Sequence, residues 1–272
     1  MEFKKITLLF LLLSLNLFSQ HSKIYYELKY KQDLLQKEPP IEEKMILKIE
    51  ANTASFYPDF FESDTIIQQN GLIKINDYVS QTLLRKMGNS KNTYFISEER
   101  MNFKLESDDK INWKILDSTK IVKPNVVLKK AVGKFGGREW IAWFNSEISI
   151  PEGPYKFNQL PGLVYEVYDK KNDYHYTLIE IKNIKGNQKN DTILNYYKNP
   201  KLITSIQYQK LLLNRYDKIG SDYLDEGTSF TDNKTGNIIT KEEIYKIIAE
   251  KKKYFRSTYN PIELDKAVHY PE

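Results

Sequence analysis

Histidines and carboxylates are the side chains of this sequence that could carry acid–base chemistry. The three histidines are His21, His175 and His269, and no two of them have the HxxxH or HExxH spacing of a metal-binding pair. His175 lies in a strand-like run just after a run that contains Glu166, so the two could form a general acid–base pair across neighbouring strands. A strand histidine between two tyrosines is more often a surface residue, and we predict no catalytic residue.

Other catalytic and metal-binding patterns are missing from the sequence. The chain has no cysteine, which excludes disulfides, a thiol nucleophile and thiolate metal sites. It contains no GxSxG, P-loop or GxGxxG motif, and the glycines of Gly133–Gly137 fall within a predicted hairpin rather than at a helix N-terminus. The acidic groups Asp108-Asp109 and Asp222–Glu226 lie in loop-like sequence without the spacing of a calcium loop. The sequence therefore predicts no metal site and no cofactor.

The amino-acid composition restricts the kinds of molecule that we expect the protein to bind. Of 272 residues, 41 are basic and 36 acidic, which gives a formal net charge of +5, but no basic block is dense enough to follow a phosphate backbone. We therefore expect no nucleic-acid partner. The 20 tyrosines suit half-buried strand positions, and a stacking surface for sugars or extended peptides is the alternative.

The N-terminus has the pattern of an export signal. Lys4 and Lys5 precede the apolar stretch Ile6–Phe18, and Ser19 is a small residue suited to cleavage. The apolar stretch is shorter than the roughly 20 residues of a spanning helix, and no second one follows. We predict a signal peptide at residues 1–20, a mature chain without a transmembrane segment, and a periplasmic or secreted location without a lipid-modified cysteine.

The first half of the mature chain alternates apolar and polar residues with the period of two that is typical of strands. The predicted strands are Ile24–Lys31, Glu43–Glu50, Ala54–Tyr57, Asn92–Ile96, Met101–Leu105 and Ile111–Leu116. A turn at Asp108-Asp109 is predicted to join the last two, and residues 74–91 show no clear pattern. Such runs indicate an antiparallel meander.

Two hairpins are predicted in the second half. Val126–Lys134 and Arg138–Trp143 flank Gly136-Gly137, which supplies the positive φ angles of a tight turn. Leu163–Tyr168 and Tyr174–Ile184 form the second hairpin. The aromatic residues of these strands are candidates for lining a binding cavity, with core packing as the alternative for the tryptophans: Trp140, Trp143, Tyr165 and Tyr168.

A patterned turn precedes the second hairpin. Leu160-Pro161-Gly162-Leu163 has Pro at the second and Gly at the third position, which is the chemistry of a type II turn. We expect Gly162 to adopt a positive φ angle, and we expect the segment to be structural rather than catalytic.

Helical patterns are confined to the C-terminal part, about residues 200–272. Leu202–Lys218 has apolar residues at helical spacing, and Thr240–Glu243 is a capping box before a second helix. The predicted buried stripe of that second helix consists of Ile244, Ile247, Ile248 and Phe255. The predicted fold is mainly β with C-terminal helices, built on a strongly curved antiparallel sheet or half-open β-barrel, with residues 21–272 forming a single domain.

Several segments resemble the GLPGLI family, an exported family of unknown function that is common in Bacteroidetes. The resemblance rests on Gly153-Pro154, Leu160-Pro161-Gly162-Leu163, Arg138–Trp143 and Asn260–Leu264. Gln159 stands where the family hexapeptide begins with Gly, and Val164 stands where it ends with Ile. The resemblance implies an exported β-rich protein, and it carries no established catalytic residue.

Three functions are compatible with these patterns. The first is a non-enzymatic binding or carrier module of the cell envelope for an apolar or extended ligand. The second is an accessory protein of outer-membrane transport or assembly machinery, and the third is a carboxylate-based hydrolase. A cavity favours the first, whereas a filled core with an exposed apolar edge favours the second.

Overall fold

A computed structural model of the chain describes residues 21–32, 39–62, 81–122, 125–184, 192–224, 229–231 and 236–272. The predicted signal peptide, residues 1–20, and Asp225 and Glu226 of the second acidic group lie outside them. The strands are β1 (His21–Tyr30), β2 (Ile41–Glu50), β3 (Thr53–Pro58), β4 (Thr82–Lys86), β5 (Lys91–Glu98), β6 (Met101–Asp108), β7 (Lys114–Val122), β8 (Val126–Phe135), β9 (Arg138–Asn145), β10 (Leu163–Asp169), β11 (Tyr174–Asn183) and β12 (Lys201–Leu202). The helices of the described residues are α1 (Thr192–Tyr196), α2 (Ser205–Asp217) and α3 (Lys241–Ser257).

All the strands belong to one sheet made of two meanders. The order is β12-β6-β5-β4-β3-β2-β1-β11-β10-β9-β8-β7, so consecutive strands pair within each meander and β1 pairs with β11 between them. Every pairing is antiparallel except that of β12 with β6. Because β6 and β7 occupy distant positions in this order, the chain must cross from one side of the sheet to the other within the link that joins them.

That link shows why the sheet is strongly curved. β6 and β7 are ten strand spacings apart, which would be about 48 Å in a flat sheet. The chain from Asp108 to Lys114 spans at most about 20 Å. The sheet must therefore curl until its two sides approach each other at this end, without closing. The predicted mainly β fold with a curved, open sheet and C-terminal helices is confirmed.

Two predictions about the strands need correction. The predicted hairpin at Asp108-Asp109 is wrong, because β6 pairs with β5 while β7 pairs with β8. Ile111, predicted to begin a strand, lies in the crossing link and is buried in the core. The region without a clear pattern contains β4, a short strand between β3 and β5.

The central strands bury different faces. In β1, Ile24, Tyr26 and Leu28 alternate with half-buried residues and face the inside of the curved sheet. In β2, five consecutive residues from Met45 to Ile49 are buried, so both faces of this strand are covered. Part of the outer cover comes from α1, whose Ile193 joins a small cluster on the outer side of the sheet.

The inside of the curved sheet is filled by the chain itself. Residues 146–162, which connect β9 to β10 and which we call the interior loop, insert Tyr155, Phe157 and Leu160 into the main core. The Phe157 ring lies 4.2 Å from that of Trp140, measured between centroids. The loop therefore occupies the concave space that a ligand would have filled in a hollow sheet.

The second C-terminal helix begins as predicted. The Thr240 hydroxyl accepts a hydrogen bond from the Glu243 amide at 3.3 Å, and the Glu243 carboxylate accepts one from the Thr240 amide at 2.8 Å. This reciprocal capping box starts α3 at Lys241. The predicted stripe faces inward, with one buried and three half-buried members: Ile244, then Ile247, Ile248 and Phe255.

The first C-terminal helix begins later than predicted. Thr204 caps α2 through a second capping box with Gln207, and Lys201–Leu202 instead form β12. Ile206, one of the apolar residues at helical spacing, is 64% exposed. Tyr216 near the end of α2 is buried as the spacing indicated.

Candidate functional site

The interior loop is held by a fully buried ion pair. Arg85 of β4 donates to the Glu152 carboxylate from Nε at 2.8 Å and from Nη2 at 2.5 Å, and neither side chain is exposed. The same guanidinium donates to the carbonyl oxygens of Tyr155 at 2.5 Å and Gly153 at 3.1 Å. The other Glu152 oxygen accepts from the Gly88 amide at 2.9 Å. Every polar group of this anchor is thus satisfied without a ligand.

The motif glycines are structural because backbone passes close to them. A Cβ on Gly162 would lie 2.1 Å from the carbonyl oxygen of Asn145, and a Cβ on Gly153 would lie 2.1 Å from that of Phe157. Gly162 has φ +150°, so the predicted positive φ is confirmed. The predicted type II turn is wrong, because the Gly162 amide donates to the Leu160 carbonyl two residues back, at 2.8 Å. Pro161 is the central residue of this tighter turn, and Leu163 follows it.

The residue before the motif explains the Gly that opens the family hexapeptide. Gln159 has φ +70°, a left-handed conformation that Gly adopts without steric cost and Gln does not. Its amide donates to the Pro151 carbonyl at 3.1 Å, which fixes the conformation. The backbone at this position therefore suits a glycine, and this chain has a strained residue there.

Arg138 joins two of the segments that carry the family resemblance, Arg138–Trp143 and Asn260–Leu264, to the end of β10. Its guanidinium donates to Asp169 at 3.3 Å at the end of β10, and to the side chain of Asn260 at 2.6 Å. It also donates to the carbonyls of Pro261 at 2.9 Å and Ile262 at 3.0 Å. These contacts dock the C-terminal segment against β9. Arg138, Asp169 and Asn260-Pro261 therefore form one structural unit.

The four aromatic residues proposed from sequence to line a cavity lie apart from the cavity described below. Trp140 is buried in the main core, and its indole nitrogen donates to the Phe135 carbonyl at 2.9 Å. Tyr165 is half-buried against the same core. Trp143 and Tyr168 are half-buried, with the ammonium of Lys120 4.6 Å from the centroid of the Trp143 ring.

The His–Glu pair does form on neighbouring strands. The Nε2 of His175 lies 2.8 Å from Oε1 of Glu166, and Lys120 pairs with the other carboxylate oxygen. The hydrogen bond from His175 and the charge of Lys120 outweigh partial burial and lower the pKa of Glu166. This pair lies away from the cavity, on a half-exposed part of the sheet.

A cavity of about 550 Å³ lies between the sheet, the middle of the interior loop and the C-terminal part of the chain. We call it the rim cavity. Strand residues on its wall come from β1, β5, β6 and β11, and the opposite wall comes from α2, α3 and residues 258–270. Seven tyrosines line it: Tyr30, Tyr94, Tyr155, Tyr174, Tyr208, Tyr259 and Tyr270.

The deeper tyrosines are held by hydrogen bonds, which fixes the orientation of their rings. The hydroxyl of Tyr155 donates to Glu263 at 2.6 Å and that of Tyr174 donates to the Asn260 carbonyl at 2.6 Å. Tyr208 of α2 differs, because its hydroxyl has no hydrogen-bond partner within the described ranges, and burial raises its pKa. The cavity therefore combines fixed aromatic walls with a free hydroxyl.

Three charged side chains, Lys156, Glu263 and Lys266, line one wall of the rim cavity and form a network with Asp109, which is outside the lining. Lys156 of the interior loop lies 3.0 Å from the Asp109 carboxylate and 2.7 Å from that of Glu263, and Lys266 pairs with both acids. Burial opposes ionisation of Asp109 and Glu263, but the two ammonium groups outweigh it and lower the pKa of each acid. The Lys156 ammonium also lies 5.4 Å from the centre of the Tyr155 ring.

A second ion pair crosses the cavity from α2 to the sheet. Arg215 donates to the carboxylate of Glu98 on β5 at 3.2 Å. Burial raises the pKa of Glu98, and the charge of Arg215 offsets this only in part. One further acid of the lining, Asp265, is exposed and has no ion-pair partner within the described residues. Glu106 borders the cavity through β6, but it lies opposite Thr93, so its side chain is on the outer face of the sheet.

Sequence reasoning missed the rim cavity because its walls come from distant segments. Tyr94 and Tyr259 face the same space but lie in β5 and after α3. The only local signal was the density of tyrosines near the C-terminus. Among the described residues, no group of His, Asp or Glu could hold a metal ion, and no helix is both long and apolar enough to cross a membrane.

Comparison with known proteins gives a fold relationship. No protein-family model matches the chain, and no curated protein matches it. Among the solved structures, one crystal form of PNGF-II matches 71% of the chain with a TM-score of 0.52 and 15% identity. A second form matches 71% with a TM-score of 0.51 and 14% identity. The match covers 33% of the PNGF-II chain, so this protein spans about a third of that length, and the likeness concerns the fold alone.

Proposed function

We propose that this protein is an exported, GLPGLI-type binding module of the cell envelope, which holds an apolar or extended ligand in the rim cavity. The observation that carries the proposal is a space of about 550 Å³ walled by seven tyrosines. This volume lies in the range of small-molecule binding sites. Aromatic faces supply large contact area to a ligand at a small cost in side-chain entropy. The proposal assigns no catalytic residue.

The filled interior of the sheet supports this location for the ligand. Arg85 and Glu152 hold the interior loop in place with every hydrogen bond satisfied, so opening that space would leave a buried charge unpaired. The rim cavity needs no such rearrangement, because its space lies between the sheet and the C-terminal helices.

The proposed family and the proposed location in the envelope rest on features of the sequence. Arg138 and Asn260 belong to segments that resemble the family, and they meet in one buried cluster with Asp169. The apolar stretch Ile6–Phe18 after two lysines supports export.

Native mass spectrometry of the protein purified from envelope extract tests the proposal. We expect a bound species at one copy per chain, and we expect Tyr208→Ala together with Tyr259→Ala to reduce its occupancy at least ten-fold. Trp143→Ala serves as the control, since it removes an aromatic residue outside the cavity. A wild-type spectrum without any bound species, or equal occupancy in the cavity variant and the control, would contradict the proposal.

A second candidate function is that of an accessory protein, favoured by the free side of β7. This nine-residue strand lies at the end of the sheet order. Ile121 on it is 73% exposed and pairs in register with Val127, which is 42% exposed. Exposed strand edges with apolar side chains can pair with a strand of another protein. Loss of a co-purified envelope protein in Ile121→Lys would support this function, and unchanged co-purification would exclude β7 as its interface.

A further inference from the structure

The rim cavity meets strand β6 along its edge. Three consecutive residues of this strand border the cavity, Leu105, Glu106 and Ser107, although the side chain of Glu106 lies on the outer face of the sheet. Successive side chains of a strand point to opposite faces, so a space that borders all three residues must lie beside the main chain. Glu106 therefore borders the cavity with its backbone rather than with its carboxylate.

The strand β12 occupies only the first part of this edge. It pairs with Phe103 and Lys104, and the Ile203 amide donates to the Lys104 carbonyl at 3.0 Å. The next residue, Thr204, caps α2, so the chain leaves the sheet at this point. Beyond Lys104, none of the described strands pairs with this side of β6.

The pattern of pairing leaves the backbone of Glu106 without a partner. In an antiparallel ladder, alternate residues direct both their N–H and their C=O to the same neighbouring strand. Because the Lys104 carbonyl points to β12, the backbone groups of Glu106 and Asp108 point to the same side, away from β5. The N–H and C=O of Glu106 have no hydrogen-bond partner in the part of the chain that the structure describes. The cavity therefore contains an unused donor and an unused acceptor of the sheet.

An aromatic and apolar wall lies beside this edge. Tyr94 and Leu105 pair in register on the inner face of the sheet, and Tyr208 and Leu212 of α2 line the same space. Tyr208 is half-buried, and its hydroxyl has no partner among the described residues. A strand laid along the edge would direct every second side chain toward these residues.

The charges of the lining favour a neutral ligand. Arg215 pairs with Glu98, and both lysines of the lining pair with Glu263. A peptide backbone carries no net charge, so it can enter without leaving a charge uncompensated. The side chains of the lining carry three positive and three negative charges: Lys156, Arg215, Lys266, Glu98, Glu263 and Asp265.

We propose that the rim cavity binds an extended peptide segment of a partner protein, which continues β12 along the edge of β6 as an added strand. Its main chain bonds to the backbone of Glu106, and its apolar side chains, one in every two, pack between Tyr94 and Tyr208. In strand addition, main-chain hydrogen bonds supply affinity and pockets for alternate side chains supply specificity. This inference rests on the proposed binding function and names its ligand class.

Isothermal titration calorimetry with synthetic peptides tests the inference. The probe is an acetylated hexapeptide amide of alternating valine and threonine, and two further peptides carry N-methyl groups on either the valines or the threonines. Alternate N–H groups of a strand point to opposite sides, so only one of these two sets can bond to β6. We expect saturable one-to-one binding of the unmodified peptide, a loss of at least ten-fold for one methylated peptide, and less than three-fold for the other. Equal affinities of the two methylated peptides, or no saturable binding of the unmodified one, would overturn the inference.

A proline in β6 tests the same edge from the side of the protein. Glu106→Pro removes the N–H that points into the cavity but no hydrogen bond to β5, so we expect a folded chain with at least ten-fold weaker peptide binding. Ser118→Pro is the control and should leave the affinity unchanged, because Ser118 lies in the bulge of β7, outside the cavity lining. Urea denaturation shows whether each variant folds, and the methylated peptides decide if Glu106→Pro does not. Equal affinities of two folded variants would contradict the inference.

The outcomes also separate the peptide from other occupants and from the proposed function. Cellotetraose presents sugar rings without a peptide backbone, and tighter binding of it than of the peptide would overturn the inference in favour of a glycan. A dimer of the free chain that Glu106→Pro dissociates would overturn it in favour of a second copy. If no probe binds but the native mass spectrum shows a bound species, this inference fails and the proposed function stands.

Discussion

The interior loop and the rim cavity differ in how their charged side chains are paired and enclosed. Both lie against the concave side of a curved sheet, and both combine tyrosines with buried charges. In the loop, Arg85 and Glu152 are completely enclosed and satisfy each other and the surrounding backbone. At the cavity, Asp265 is exposed and unpaired among the described residues, as is Glu106 at its edge, and the Tyr208 hydroxyl has no partner there.

Stability and candidate binding therefore depend on different regions beside the same sheet. A buried charge without its partner costs several kcal/mol, so the interior loop cannot leave without a large loss of stability. An exposed carboxylate at the cavity costs little free energy, because water solvates it. The patterned segment Leu160–Leu163 therefore belongs to the region that stabilises the fold, whereas the candidate binding region is rich in tyrosine but has no sequence motif.

The largest effect expected from this comparison concerns the two regions' carboxylates. Glu152→Gln leaves the Arg85 guanidinium buried without a counter-charge and should lower the free energy of unfolding by about 3–5 kcal/mol. The same change at Glu106 should alter it by less than about 0.5 kcal/mol. Urea denaturation of both variants measures the two values. Similar losses for the two variants would mean that the regions do not differ in the way described.

A smaller effect is expected at the turn of the interior loop. Gly162→Ala places a Cβ 2.1 Å from the Asn145 carbonyl oxygen in addition to straining a positive φ, and should cost about 3 kcal/mol. Gly236→Ala is the control, since its φ is +70° but nothing lies within 4 Å, and about 1 kcal/mol is expected. Thermal unfolding of both variants checks this. A Gly162→Ala protein that melts no lower than the control would refute the role of the close approach.

The charged wall between the two regions should make the protein sensitive to acid. The pKa values of Asp109 and Glu263 are lowered in the folded state, so their stabilisation is complete above the unfolded pKa values of about 3.9 and 4.3. It should be lost as the pH falls from about 4.5 through the folded values. Lys156→Met removes the ammonium that pairs with both acids and should flatten or reverse this part of the dependence. Urea midpoints of both proteins between pH 7 and pH 3 measure the difference, and parallel curves would contradict it.

The smallest expected effect is a gain in stability. Gln159→Gly relieves the strain of φ +70° in the interior loop while adding unfolded-state entropy, for a net gain of about 0.5 kcal/mol. A small rise in the melting temperature, measured beside Gln209→Gly in α2 as a destabilising control, would confirm it. A fall at position 159 would show that the Gln side chain contributes more than the strain costs.

Short sequence patterns correctly predicted the elements that are determined by residues close to them in the chain. The alternation of Ile24, Tyr26 and Leu28 predicted β1, and Thr240 with Glu243 predicted the start of α3, because each signal lies within a few residues of its effect. The positive φ angle of Gly162 was predicted correctly because its signal, the Pro-Gly pair, also lies within the turn. The type of the turn was predicted wrongly, because the backbone at Asn145 lies close to Gly162 and affects the conformation of the turn.

Elements that depend on distant contacts escaped prediction. Asp109 follows another aspartate and has the composition of a turn, but in the fold it pairs with Lys156 and lies in a crossing link. The strand β4 is short and gains its place from β3 and β5. The rim cavity requires Tyr94 and Tyr259 to meet, and nothing in either segment alone indicates the other.

The pairing of β1 with β11 has a consequence for how the chain folds. Tyr30 pairs with Tyr174 and Ser22 with Asn183, so the middle of the sheet joins the first described strand to one that the ribosome makes much later. Contacts of such sequence separation must overcome a large loop-closure entropy and form slowly. Until β11 is available, β1 has an open side at what will become the centre of the sheet. A chain shortened before Tyr174 would therefore expose the interior of the protein, and the two meanders should fold as one cooperative unit.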